Sequence, residues 1–321
     1  MQRILTFVGT FIFALVLAQR DVAQAVEGAV GFYLLGSKTT MAGYIPPPGT
    51  YVQDMNYFYS GSTDKTLESA GVIISGGVDA DAYYALPVAL WVAPGKVLGG
   101  NIAFNVIAPI GWKNTDAGLS LTGPGGATIS RNLNDEEFKF GDPVIGSSLG
   151  WHEGNFHWTI GTLLNMPAGF WQRGNLANIG FNRWAIDTTG AVTWLDPKIG
   201  LELSAAAGIT YNFENPVTNY KSGSEFHLEF AAIQNFSKTF GVGLNGYFYD
   251  QVTADSGSGA KLGPFEGRVV ALGPAVNLSF ELGKIPVTTN LKYFHEFDVA
   301  NRLEGDAGYL TLTMPLQVYG H

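Results

Sequence analysis

Beyond residue 25 the chain divides into about a dozen segments in which apolar and polar side chains alternate, and the joints between them are by turns short and long. Period-two alternation lays apolar side chains along one face of an extended strand. Sorting the joints by length gathers the tight turns at one end of the sheet. An antiparallel barrel closed through a bacterial outer membrane has both properties. A soluble sandwich or propeller also has many short strands, but does not sort its loops by side. The expected fold class is therefore all-β: a transmembrane antiparallel up-and-down β-barrel of the outer-membrane type, with about twelve strands.

The alternation and turn chemistry place strands near Gly49 to Ser60, Gly77 to Val92, Gly99 to Gly111, Gly141 to His152, Asn155 to Met166, Arg183 to Leu195, Lys198 to Asn212, Gly223 to Asn235, Phe240 to Val252, Pro264 to Leu282, Pro286 to Asp298 and Glu304 to Pro315. Ala93 to Leu98, Glu153-Gly154, Asp196-Pro197, Phe236 to Thr239 and Gly283 to Ile285 read as tight turns. Gly61 to Gly76, Trp112 to Phe140, Pro167 to Asn182, Phe213 to Ser222 and Ala254 to Gly263 read as loops. An even strand number brings both ends of the barrel to the short-turn side.

The start of the chain stands apart. A basic Met1-Gln2-Arg3, an apolar run from Ile4 to Ala18 and the small residues of Ala23-Gln24-Ala25 make a secretory signal peptide of residues 1–25. The run is too short for a membrane helix, which needs about 20 apolar residues. Residues 26–48 are irregular and end in Tyr44-Ile45-Pro46-Pro47-Pro48; prolines that cannot donate to a ladder mark the entry to the first strand. This segment reads as a lumen plug or a periplasmic segment, followed by the barrel over 49–316 and a C-terminal tail over 317–321.

Composition agrees. Charged residues are only 14% of the chain, against about 25% in soluble domains, while 21 Phe, 14 Tyr and 7 Trp can furnish interfacial girdles. Without residues 1–25 the chain loses Arg3, Arg20 and Asp21, taking the formal charge from −9 to −10. An acidic chain with no basic patch argues against nucleic acid as a partner. With no cysteine there is no disulfide or thiolate metal site.

Alternation assigns faces. In the second strand Val78, Ala80, Ala82, Leu86, Val88 and Leu90 are expected to meet lipid, and Asp79, Asp81 and Tyr83 the lumen. Elsewhere Glu202, Glu225, His227, Glu229, Lys292 and Glu296 fall on the face opposite runs such as Leu201/Leu203 and Leu291/Tyr293/His295/Phe297. A charge costs least inside the barrel, so these eight ionisable residues are the candidate polar lumen. They either neutralise one another, with Lys292 and Arg268 as counter-ions, or line a solute path. A barrel this wide is plugged or wet.

Catalysis has little support. No His-Glu-x-x-His occurs; His227 lies near Ser222 and Ser224 but faces inward beside Glu225 and Glu229, and His295 faces lipid with only Tyr293 and Phe297 alongside, so neither makes the outer-face pair a lipase needs. No enzyme activity, cofactor or metal is expected. Glu225, His227 and Glu229 share one strand face, as do Asp79 and Asp81, but solvated lumen walls explain them as well as a cation does. The Asp- and Asn-rich stretches Asn132 to Glu137 and Asp250 to Gly259 read as surface loops rather than calcium sites.

Several runs resemble a known family. Tyr33-Leu34-Leu35-Gly36 with Ala42-Gly43-Tyr44-Ile45-Pro46-Pro47-Pro48-Gly49-Thr50-Tyr51, then Gly141-Asp142-Pro143, Pro167-Ala168-Gly169-Phe170 with Asn178, Gly180, Asn182 and Trp184, and Asn215, Thr218, Tyr220, Ser222 and Gly223 follow its order and spacing. So do Gly246-Tyr247, Gln251 to Thr253 with Asp255, Gly273-Pro274, and Glu296-Phe297 with Asn301, Arg302 and Gly305. The chain resembles the MetA-pathway of phenol degradation family of SphA-like outer-membrane transporters. The resemblance implies an outer-membrane barrel that passes hydrophobic or aromatic compounds, with outer-membrane lipid and lipopolysaccharide as surroundings. Tyr33, Tyr44, Phe170, Trp171, Tyr220 and Tyr247 are the candidate contacts along a solute path. The alternative is a structural or adhesive barrel, acting as a homo-oligomer or a subunit of a surface assembly.

Overall fold

The computed structural model describes residues 27, 30–63, 67–69, 72–74, 76–122, 128–261 and 263–319; the signal sequence read over 1–25 lies outside them. In chain order the strands are β1 (Gly49–Thr63), β2 (Leu67–Ser69), β3 (Val72–Ile74), β4 (Val78–Val97), β5 (Gly100–Ile107), β6 (Ile110–Thr122), β7 (Thr128–Phe140), β8 (Val144–Glu153), β9 (Phe156–Asn165), β10 (Ala185–Asp196), β11 (Leu201–Asn212), β12 (Glu225–Asn235), β13 (Phe240–Gln251), β14 (Arg268–Leu282), β15 (Ile285–Ala300) and β16 (Glu304–Val318). Among the described residues no helix is long and apolar enough to cross a membrane.

Twelve of these strands close an antiparallel barrel: β1, β4, β5 and β8 to β16, each paired with its neighbour, with β16 returning to β1 from Gly49↔Val318 to Ser62↔Glu304. All twelve segments read from the sequence are present. β16 runs on to Val318, and Tyr319 donates its backbone N–H to Pro48 O at 3.0 Å.

Two additions come from stretches read as loops. β2 and β3 pair as a small hairpin. β6 and β7 form a larger one, and the sheet forks to make it: β4 pairs with β5 from Val88 to Val97 and with β6 from Val78 to Ala85. Breaks at Ala108-Pro109 and Gly141 to Pro143 separate β5 from β6 and β7 from β8. A strand of about 9–11 residues crosses the membrane, so the 10 to 12 residues of β8 to β13 suffice. The β6–β7 hairpin and the upper part of β4 continue beyond the membrane.

The outer face carries the marks of that boundary. At the short-turn end Trp91 stacks on Phe104 and Trp151 on Trp158, with ring centroids 5.9 and 6.3 Å apart. Toward the long-loop end Phe58 meets Tyr83 and Tyr211 meets Phe213. Aliphatic side chains such as Leu203, Ile209, Leu228 and Leu244 are exposed between these belts, as two aromatic girdles around an apolar band require.

In β11, β12 and β15 the faces fall as alternation assigns them: Glu202, Glu225, His227, Glu229, Lys292 and Glu296 are all buried inside, while Leu203, Leu228, Leu291 and Tyr293 are exposed outside. In β4 they do not. Val78 and Ala80 are buried and Ala82, Tyr84 and Leu86 line the interior, whereas Asp79 and Asp81 are exposed on the outer face. The physical reason is height. Both carboxylates stand above the membrane, where the outside of the barrel is water and an outward charge costs nothing, so polarity no longer reports which face is the lumen.

Candidate functional site

The interior is built from two halves. Residues 30–48 descend inside the barrel from the long-loop end to the short-turn end, held by the wall of β10 to β16. At the top the Glu27 backbone N–H donates to Ser222 Oγ at 3.3 Å, and Asn215 donates to its carboxylate at 3.1 Å. Lower down, Tyr33 stacks on His227 with centroids 3.7 Å apart. Glu229 accepts from the backbone N–H groups of Gly36 and Lys38 at 2.9 and 2.7 Å. Glu202 accepts from Met41 N–H at 2.7 Å, and Thr193 Oγ1 from Gly43 N–H at 3.0 Å. Lys292 binds the carbonyls of Gly36 and Ser37 at 2.5 and 3.1 Å, and Tyr309 donates to Leu35 O.

An irregular segment cannot satisfy its own backbone, and a buried orphan N–H costs about 1–3 kcal/mol. The inward carboxylates supply those acceptors. Gly36 sits at φ 85°, where an added Cβ would lie 2.7 Å from the Phe294 ring; at Gly43 it would lie 2.4 Å from His157 O. The close approach of backbone to wall depends on these two residues lacking a side chain.

Opposite this segment, toward β1, β4, β5, β8 and β9, lies a cavity of ≈ 200 Å³. Leu34, Met55, Leu86, Ile107, Val144 and Leu163 surround its lower part, with Tyr57, Tyr59, Tyr84 and Trp171 above. Its roof is the packed cluster of Val78, Ala80, Ala117, Leu176 and Leu303. Beneath it Ile45 packs with Tyr51, Val92 and Ala103, and Tyr51 donates to Pro47 O at 2.8 Å. The stretch 166–184 closes the side where β7 leaves the barrel. Buried Asp142 fixes it, accepting from Gly169 N–H and Phe181 N–H at 2.8 Å each and from Asn165 at 3.1 Å.

Of the six aromatic path candidates, Tyr33, Trp171 and Tyr247 line this cavity. Tyr44 lies at the short-turn mouth, 5.2 Å from the rings of both His152 and His157, which face each other with Nδ1 atoms 2.7 Å apart. Phe170 sits under Lys139 on the β7 side, 5.4 Å from its ammonium, and Tyr220 donates to Asp255 among the loops. The structure does not bring these three to the cavity.

Glu225, His227 and Glu229 do not converge. His227 donates from Nε2 to Asp187 at 2.9 Å, Glu225 accepts from Asn212 at 2.6 Å, and Glu229 serves the N-terminal segment. Among the described residues no cluster of three or more metal-ligating side chains occurs. Nor is Arg268 a counter-ion of the lumen: it pairs with Asp298 at 2.9 Å, both substantially exposed. His295, expected beside only Tyr293 and Phe297, also meets Asp306 at 2.9 Å.

Sequence reasoning missed Asp187, Arg183, Lys113 and Arg302. Asp187 begins an inward Asp187-Thr189-Ala191-Thr193 row that alternation could have identified. Arg302 lies between strands, where no period exists; Arg183, just before β10, shares the inward phase of Ala185 and Asp187. Lys113, on the hairpin above the membrane, is pushed down to about 8 by burial.

Comparison with known proteins matches this geometry. Residues 60–312 fit the family described as "Putative MetA-pathway of phenol degradation". The COG4313 outer membrane channel from Pseudomonas putida F1 superposes with TM-score 0.65 at 14% identity, over 88% of this chain and 99% of that one. The transport unit of the autotransporter AIDA-I from Escherichia coli gives TM-score 0.42 at 8% identity, over 90% and 94%. A Pseudomonas aeruginosa FadL homologue gives 0.39 at 8%, over 91% and 97%. The first likeness shows a shared fold; the other two are too distant to add to it. No curated protein matches in sequence. With a family match across most of its length and the fold of an outer-membrane barrel, the chain belongs to the MetA-pathway of phenol degradation family.

Proposed function

We propose that this protein is a passive outer-membrane channel for small hydrophobic or aromatic compounds, with residues 30–48 as the plug that keeps the lumen from being an open pore. The observation that carries the reading is the cavity: ≈ 200 Å³, with aliphatic side chains in its lower part and aromatic ones above, while the Ile45 cluster of the N-terminal segment packs nearer the short-turn end. A cavity of about 150 Å³ lined by apolar side chains holds benzene, so one substituted aromatic ring fits. Solute enters from the long-loop end, rests in the cavity, and passes toward the periplasm when the segment around Ile45 yields. Lipid and lipopolysaccharide surround the girdled outer face, and no step in this route makes or breaks a bond.

Deletion of residues 26–45, with the protein reconstituted in liposomes and planar bilayers, tests it. The expected result is a several-fold rise in single-channel conductance and leakage of hydrophilic solutes that the intact chain excludes. Unchanged conductance and unchanged uptake would overturn the plug. Failure of the intact protein to admit any aromatic or alkyl solute would overturn the channel.

A further inference from the structure

Three cationic side chains line the upper part of the cavity: Lys113 from β6, Arg183 just before β10, and Arg302 between β15 and β16. Their donors are not used up by the protein. Arg183, only 2% exposed, donates from Nε to Asn212 at 3.2 Å but leaves Nη2 without an acceptor. Arg302 lies over the Tyr249 ring at 4.2 Å, with Nε and Nη1 making no hydrogen bond. Among the described residues neither arginine has a carboxylate oxygen within ion-pair distance.

Glu27 also lines the cavity, and Glu225, which accepts from Asn212 at 2.6 Å, acts on both arginines through space without an ion pair; the other two nearby carboxylates are occupied. Glu296 accepts from Tyr247 at 2.8 Å, Tyr59 at 2.9 Å and Gly305 N–H at 3.0 Å. Both oxygens of Asp142 are taken by Asn165 and the 166–184 stretch. Buried donors are normally satisfied, and a guanidinium stays charged and offers five N–H groups in a fork that matches a carboxylate. The remaining guanidinium donors are thus placed to meet an acceptor in the cavity, whether water or solute.

The register fixes the polarity of the site. Lys113 stands opposite Ala82 on β4, while Met55 stands opposite Leu86, four residues nearer the short-turn end. Cations thus crown a pocket whose lower walls are Leu86, Met55 and their aliphatic neighbours. We propose that the cavity is a binding site for aryl carboxylates of about one ring, the ring lying among the aliphatic side chains and the carboxylate held by Arg302 and Arg183 with Lys113 nearby. The inference rests on the channel reading above, and adds a charge to its solute.

Titration calorimetry on the full chain in detergent micelles, with benzoate and neutral benzamide as probes, tests it alongside liposome uptake of toluene. Benzoate is expected to bind at least about tenfold more tightly than benzamide, about 1.4 kcal/mol. Arg302→Gln and Lys113→Met should each erode that margin, and Arg302→Lys should retain part of it. Equal binding of the two probes, or a margin untouched in an Arg302→Gln protein that keeps its heat-modifiable gel mobility, would overturn the anion site; continued toluene uptake would then leave the channel reading standing. No binding of either probe together with no toluene uptake would overturn both.

Discussion

Glu229 shows how a single inward carboxylate can organise a lumen: it takes the N–H groups of Gly36 and Lys38 and is electrostatically coupled to Lys292, which binds the carbonyls of Gly36 and Ser37. Glu229→Ala removes both acceptors, a loss of about 1–3 kcal/mol for each buried N–H left without one. Faster hydrogen exchange at residues 36–38 and a lower temperature for the folded-to-unfolded gel shift are expected, with the barrel still closed. Lys113 gives a second prediction. Because burial lowers its pKa to about 8, it is charged below that pH and loses its charge as pH rises through it, so benzoate binding should weaken between about pH 7 and about pH 9, and Lys113→Met should flatten that part of the profile. The inward placement of Glu202, Glu229 and Glu296 was legible because in the membrane only the lumen tolerates a carboxylate. The partners of these residues were not, since the segment that meets them has no period, and Arg302 belongs to no strand whose alternation could aim it.

At the scale of elements, the twelve wall strands could be read because lipid on one side enforces alternation over the whole membrane height. β6 and β7 were hidden because the outer face of a strand above the membrane is wet while the inner face of β6 carries the polar Lys113 and Thr115, and a run such as Lys113-Asn114-Thr115-Asp116 then has no apolar phase to reveal it. The same loss of phase inverted the faces of Asp79 and Asp81. The fork in the sheet leaves β7 paired only with β6, and the 166–184 stretch takes the vacant side, tied by Asp142 and by Leu176 N–H, which donates to Asp135 at 2.7 Å. Asp142→Ala should free this stretch at a cost of about 3 kcal/mol, from the loss of three hydrogen bonds to a buried charged acceptor. Limited proteolysis should then cut within 166–184 while the barrel core stays resistant; an unchanged digestion pattern would show that apolar packing alone holds it.

For the whole molecule, the cavity and the N-terminal segment divide one lumen, and Ile45 packs across it nearer the short-turn end than the cavity. Ile45→Ala removes the side chain that packs on Tyr51, Val92 and Ala103; a buried Ile→Ala change costs about 2–5 kcal/mol, here taken from the closure beneath the cavity. Conductance should rise while strand content by circular dichroism stays unchanged. The path of residues 30–48 also bears on how the barrel is made. The segment covers the full height of the interior before turning into β1, and β1 closes the wall against β16, the last strand synthesised. Once that seam is zipped, threading the segment through would mean drawing it past the packed interior. Docking on the still-open sheet of β10 to β15 avoids that passage, and the segment would then serve as a mould on which β16 completes the cylinder; pulse-labelling hydrogen exchange should show residues 36–43 protected no later than the β1–β16 seam.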